Sequence, residues 1–322
     1  MSLEPPLILW SIGRDANCFE AFMVSKSFAV HILNKTQSNI GTAVTLAVAL
    51  LVAWVCSLNS LSISGIPLFG FCALIIFVIQ YVIFIPSYLN QTEHFFDLTG
   101  SLTFISISIL SVALSPNLSL VNILLALMVS IWAIRLGSFL FWRVRKDGED
   151  KRFTIMKTKF SWFFMTWNIQ GLWVLLSLGA ALAAISSPKE VSFNVIHILG
   201  FLIWLTGFII EVVADNQKTK FRAKKENEDK FITTGLWSWS RHPNYFGEIL
   251  LWFGVAIVAL PSLEGWLYFA LISPIFVFIQ LTRISGVSLL EARGRKQWKG
   301  NEEYQRYLNK TSILIPLPPK KI

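Results

Sequence analysis

Residues 119–146 read SLVNILLALMVSIWAIRLGSFLFWRVRK, and this stretch decides the fold class. Its apolar part, 119–142, is long enough to cross the hydrocarbon of a bilayer as a helix, which takes about 20 residues. It runs out on Arg143, Arg145 and Lys146, and basic residues collect on the cytosolic side of a membrane. The segment therefore supplies both a span and a direction. Working outward, 41–58, 66–86, 101–115, 161–186, 193–213, 245–260 and 264–282 read as further spans, with Pro261 breaking the last two apart. The expected fold is all-α, a polytopic transmembrane bundle of about eight spans, with seven to ten as the range the pattern allows.

Composition agrees. Hydrophobic residues make up 54% of the chain and charged residues 15%, against roughly 25% in a soluble domain. Mean hydropathy is +0.58. A soluble protein of 322 residues has no place to hide that much apolar surface. The formal charge of +9 is assigned to topology and anionic lipid rather than to nucleic acid, because the Lys and Arg lie between the apolar runs. With 143–160 in the cytosol, 214–244 and the tail from 283 fall on the same side and hold nearly all other bases. The opposite loops keep only Lys189, and both termini are expected in the cytosol. Cys18, Cys56 and Cys72 are scattered, with no spacing that suits disulfides or zinc.

Residues 1–40 stand apart as an N-terminal segment, with 41–322 as the membrane domain. Residues 5–12 and 27–33 read as strands and 15–26 as a short amphipathic helix. The phrases PPLILWSIGR and SKSFAVHILNKTQ resemble the interior of flavin-reductase-like domains. A fragment of that size cannot close a barrel, so it reads as a remnant without flavin binding.

Ionisable groups at membrane depth are costly, which makes each a candidate for function. Four clusters qualify. Asp97 stands at the entrance to the third span and either caps that helix or contacts a ligand. Arg135, Ser138, Trp142 and Arg145 share one helical face, and Arg135 lies too deep to be a topology signal. It needs a carboxylate, such as Asp97 or Glu211, a phosphate, or a water-filled cavity. Glu211, Asp215, Lys218 and Arg222 form another face, running from the sixth span into an amphipathic extension. Finally, TTGLWSWSRHPNYFGEILLWFG places Pro243 at a helix start. Arg241, His242 and Asn244 cluster at that terminus, which suits an anion, and Glu248 lies one turn beyond Asn244.

These motifs, with FDLTGSLTF, RLGSFLFWRVRKDGEDKRF, ADNQKTKFR and the ending SGVSLLE…EEYQRYLNKTSILIP, make the chain similar to the membrane family called DUF1295. That family in turn resembles the C-terminal domain of 3-oxo-5-alpha-steroid 4-dehydrogenases and sterol reductases. The resemblance implies a reductase-like helical bundle with NADPH in a cytosol-facing cavity, and about 97–318 as the cofactor-binding part. It places Asp215, Arg222, Asn244 and Glu248 on cofactor-contacting positions, with Arg135 nearby and tail aromatics such as Tyr304 around them. Arg145, Glu211, Arg241, His242 and Tyr245 complete the expected cofactor set, and Asp97 falls near a catalytic glutamate that holds a steroid ketone. The partnering tyrosine of steroid reductases falls near Trp132, and another near Phe139, so a steroid substrate is not expected.

The activity so implied is NADPH-dependent reduction of a carbon–carbon double bond in a lipid-soluble substrate. Isoprenylcysteine carboxyl methyltransferases share an RHP-x-Y motif, which Arg241-His242-Pro243 and Tyr245 match loosely, with Glu302-Glu303-Tyr304 in the tail. S-adenosylmethionine would then replace NADPH. A non-catalytic lipid-binding scaffold is the third alternative.

Overall fold

A computed structural model describes residues 33–116, 118–147, 150 and 153–320, with only the backbone at 143–147. The strand and helix readings in 5–32, the flavin-reductase-like phrases and the Arg145 side chain lie outside the described residues. Ten α-helices follow one another among them: α1 Lys35–Ser57, α2 Leu68–Leu89, α3 Phe96–Leu114, α4 Leu120–Asp147, α5 Phe160–Ile185, α6 Val195–Arg222, α7 Pro243–Ala259, α8 Ile272–Ile279, α9 Val287–Gln297 and α10 Glu302–Lys310. Two-residue strands, β1 Ser62–Ile63 and β2 Ile66–Pro67, pair antiparallel around a Ser64-Gly65 turn with positive φ at both positions. Among the described residues, eight helical segments are long and apolar enough to cross a membrane. The protein is an integral, multi-pass membrane protein with the expected all-α architecture.

Span edges shift where local chemistry outweighs hydropathy. α1 begins at Lys35, six residues before the apolar run, because Asn34 and Gln37 form a reciprocal capping box. α3 begins at Phe96 rather than 101, and its N-cap is Phe95 with no side-chain bond. Asp97 therefore sits inside the first turn and does not cap the helix. α7 starts at Pro243 as expected and gives way after Ala259 to a 3-10 turn over Leu260–Ser262, which contains Pro261. The last span is composite: a 3-10 segment Gly265–Leu271, then α8, then a π turn Gln280–Ile284.

The described chain divides into two compact units, a larger one of 29–206 with 249–278 and a smaller one of 207–248 with 279–322. In the larger unit α5 is the central helix. Of its most apolar window 83% is buried, while α1 has 28%. α1, α2, α3 and α4 pack around it. Side chains such as Leu50, Trp54 and Leu74 point outward, as hydrocarbon allows. Polar pairs tie the helices where no water competes. Gln80 Nε2 donates to Thr103 Oγ1 at 3.0 Å, Tyr81 Oη to Asn168 Oδ1 at 2.7 Å, and Gln170 Nε2 to the Phe96 carbonyl at 2.7 Å. Gly200 and Gly254 let α6 and α7 meet backbone to backbone in this unit, since a Cβ on Gly254 would lie 2.5 Å from the Trp204 nitrogen.

In the smaller unit the same two helices meet at Gly247, where a Cβ would lie 2.6 Å from the Glu211 nitrogen and the Gly207 oxygen. The rest of this unit is polar and helical, built from the end of α6, the loop to α7, α9, α10 and the C-terminal segment.

Candidate functional site

The site lies wholly within the smaller unit and is assembled on the loop before α7. Trp237 anchors that loop: its indole Nε1 donates to the Ala214 carbonyl at 3.0 Å, and the ring lies under the Lys218 ammonium, 5.0 Å from its centroid. Gln217 Oε1 accepts from the Leu236 backbone at 2.9 Å. The C-terminal segment then straps the loop from the other side. Ser240 bridges Ser312 in parallel, Arg241 N–H donates to the Ser312 carbonyl at 2.8 Å, and Ser240 Oγ donates to the Leu314 carbonyl at 2.7 Å. Tyr307 closes the strap by donating its hydroxyl to the Trp237 carbonyl at 2.8 Å.

This framework fixes Arg241 and His242 at the entrance to α7, both side chains 6% exposed. Glu291 of α9 reaches both. Its Oε2 accepts from Arg241 Nη1 at 2.7 Å, and its Oε1 lies 3.0 Å from His242 Nε2. Burial holds the His242 imidazole below its ordinary pKa, and the Glu291 carboxylate opposes that shift. The ring is then neutral at pH 7 and donates from Nε2. His242 also stacks on Tyr245, ring to ring at 5.8 Å. Burial raises the phenols of Tyr304 and Tyr307 above the ordinary tyrosine value, so both remain protonated at pH 7.

Around these groups opens a shallow cleft of about 90 Å³. Lys218, Arg222, Arg241 and Arg293 give it positive charge, while Phe231, Trp298, Tyr304 and Tyr307 form an aromatic wall. Phe231 stands edge-on to Trp298 at 5.2 Å and to Tyr304 at 5.0 Å. Cations beside flat rings suit a ligand that carries both phosphate and heterocycle.

Of the residues singled out in the sequence, Arg222, Arg241, His242 and Tyr304 come together in this cleft. Glu211, Asp215, Asn244, Tyr245 and Glu248 belong to the same unit but do not line it. Glu211 is buried on α6 beside Gly247. Asp97 and Arg135 belong to the larger unit, where the Arg135 guanidinium lies 5.7 Å from the Phe139 ring centre. Trp132 is there too, 1% exposed and packed edge-on against Phe104 and Trp252. It is a space-filling aromatic with no phenolic hydroxyl. Glu291, Arg293, Trp298 and Tyr307 are among the lining residues that sequence reading passed over, and Lys218, placed on the candidate face of the sixth span, joins them here.

Fold and cleft together define a polytopic helical membrane protein with a cationic, aromatic-walled site. Residues 83–311 match the family described as "Protein of unknown function (DUF1295)", more than two thirds of the chain, and the chain belongs to that family. It is also similar to 3-oxo-5-alpha-steroid 4-dehydrogenase 1 of Rattus norvegicus, 30% identical over 117 residues, which cover 36% of this chain and 40% of that one. The Mus musculus protein of the same name is 32% identical, with the same coverage. An uncharacterised protein of Schizosaccharomyces pombe is 24% identical over 193 residues, covering 50% of this chain and 56% of the other. The chain spans about two fifths of the length of the dehydrogenases it matches. No solved structure matches it significantly. The family expected from RHPNYFGE and the tail motif is the family found.

Proposed function

We propose that the protein is a membrane-embedded oxidoreductase that uses NADPH to saturate a carbon–carbon double bond in a lipid-soluble substrate. The observation that carries this reading is the meeting of Lys218, Arg222, Arg241 and Arg293 with Trp298, Tyr304 and Tyr307 in one cleft. NADPH presents phosphates to such cations and planar rings to such a wall. The residues fit the cofactor in a further respect: Arg241 Nε is buried with no hydrogen-bond partner, a donor in want of an acceptor. Membership of DUF1295 and similarity to proteins named as steroid dehydrogenases support the same chemistry.

When bound, NADPH supplies a hydride to a polarised double bond. The chain's own part is to hold the phosphates with Arg222, Arg241, Arg293 and Lys218, and to seat a ring against Trp298 and Tyr304. Asp215, Asn244, Glu248 and Arg135 remain proposed cofactor contacts and Asp97 a proposed substrate contact, on the strength of the resemblance. With tryptophan at 132, the substrate is a sterol-like or isoprenoid lipid held without the steroid reductases' tyrosine. The site faces the cytosol, where NADPH is supplied.

The test is anaerobic oxidation of NADPH by the purified protein in nanodiscs, supplied in turn with sterol and isoprenoid enones. The reading predicts a product heavier by two hydrogen atoms. Consumption of S-adenosylmethionine with a methylated product, and no NADPH oxidation, would replace it with a methyltransferase. Lipid binding with neither reaction would leave a scaffold.

A further inference from the structure

Glu291 is the acidic residue among the cleft's lining side chains, set against four bases. A carboxylate at the heart of an anion site is a conflict by charge alone, since it repels the ligand that the bases attract. Its geometry resolves the conflict. The two oxygens are divided between two partners, Oε2 accepting from Arg241 Nη1 at 2.7 Å and Oε1 from His242 Nε2 at 3.0 Å. Arg295 stands further out, its Nη2 3.7 Å from Oε2 and its side chain 59% exposed. Arg241 is thereby pinned by one end of its guanidinium, while its buried Nε keeps a hydrogen without an acceptor. The pair joins α9 to the start of α7 across fifty residues of chain.

We propose that Glu291 is a positioning residue for a phosphorylated ligand: it clamps Arg241 and His242 at the entrance of α7 so that the remaining donors of Arg241 meet a phosphate of that ligand. The proposal rests on the reading of the cleft as an NADPH site, but its test does not need NADPH. The deciding point is one of sign. Were Glu291 present only as a charge, its neutralisation would tighten anion binding, because one repulsive charge is gone. If it positions, neutralisation loosens binding. In Glu291→Gln the amide keeps one acceptor oxygen: turned to Arg241 it replaces a charge-assisted bond by a weaker neutral one and forces the other His242 tautomer, and turned to His242 it leaves Arg241 facing a donor, so the clamp is loosened either way. Glu291→Asp keeps the charge but is one methylene too short to span both partners.

The experiment measures binding of inorganic pyrophosphate and of NADPH to the full chain in nanodiscs, for the wild type, Glu291→Gln and Glu291→Asp, with thermal midpoints alongside. Nitrogen NMR of His242 reports the tautomer. Positioning predicts ten- to a hundred-fold weaker pyrophosphate binding in Glu291→Gln and an intermediate loss in Glu291→Asp. It also predicts a shifted His242 nitrogen pattern and a midpoint that accounts for neither. Equal or tighter binding by Glu291→Gln, or an unchanged His242 pattern, overturns it. Should Glu291→Gln fail to fold, Glu291→Asp decides alone: charge by itself predicts no loss there. A wild type that binds pyrophosphate in this Glu291-dependent way yet ignores NADPH upholds the clamp and removes the cofactor reading. A wild type that binds neither removes both.

Discussion

The phenolic oxygen of Tyr304 rests directly against the α-carbon of Gly294, so closely that a side-chain carbon at 294 would overlap it. α9 and α10 thus pack through a hydrogen atom, and the aromatic wall of the cleft depends on it. Gly294→Ala should cost about 1–3 kcal/mol of stability through overpacking. Removing the offending hydroxyl in Gly294→Ala with Tyr304→Phe should recover part of the loss. Thermal or denaturant unfolding in detergent checks both, and a Gly294→Ala protein as stable as the wild type would refute the packing described.

Glu93 and Lys157 make a buried ion pair in the larger unit. Lys157 Nζ lies 2.7 Å from Oε2 of a carboxylate that is 1% exposed, and the other oxygen accepts from the Asp150 backbone at 3.0 Å. Truncating the lysine strands a buried charge, so Lys157→Met should destabilise by about 3–5 kcal/mol. Glu93→Gln added to Lys157→Met should be less damaging than Lys157→Met alone. A double-mutant cycle measures the coupling, and a loss under about 0.5 kcal/mol for Lys157→Met would match an exposed pair instead.

Burial depresses the pKa of His242 below its ordinary 6.5, with Glu291 opposing and Lys218 and Arg241 reinforcing. Below 6.5 the unfolded chain takes up a proton that the folded ring still refuses, so the unfolded state gains. Stability from this residue is present above that value and is lost as pH falls from it through the folded value. His242→Gln should flatten the part of the profile that lies below pH 6.5. Midpoints of wild type and variant that run parallel over that part would contradict the sign.

Much of the fold was legible because its signal is local. A run of about 20 apolar residues between basic loops needs no knowledge of its neighbours. Its ends were less legible: Asn34 and Gln37 start α1 by polar capping that hydropathy does not register. Within the site, Arg241 and His242 were readable from the Pro243 helix start. Glu291 was not, since its partners lie fifty residues away and the tail helix shows no apolar period. One signal was present all the same. From Arg283 to Lys299, Glu291 is the lone acid among Arg283, Arg293, Arg295, Lys296 and Lys299, and such an acid invites the question of which base it serves.

Orientation follows from the placement of charge. Tags on the C-terminus or at the 143–160 loop should be reached from the cytosolic side. A tag at Ser187, beside Lys189, should be protected until the membrane is opened. Labelling of the Ser187 tag from the cytosol would overturn the assignment of sides and the number of crossings before α6.

The most direct test of the cofactor assignment is equilibrium binding of NADPH and of S-adenosylmethionine to the purified full chain. Saturable NADPH binding is expected, together with a ten- to hundred-fold loss in each of Arg222→Ala, Asn244→Ala and Glu248→Ala, since a charge-assisted contact is worth about 1.5–3 kcal/mol. Lys189→Ala, in the loop before α6, should bind as the wild type does. A well-folded wild type that binds S-adenosylmethionine and ignores NADPH would contradict the account.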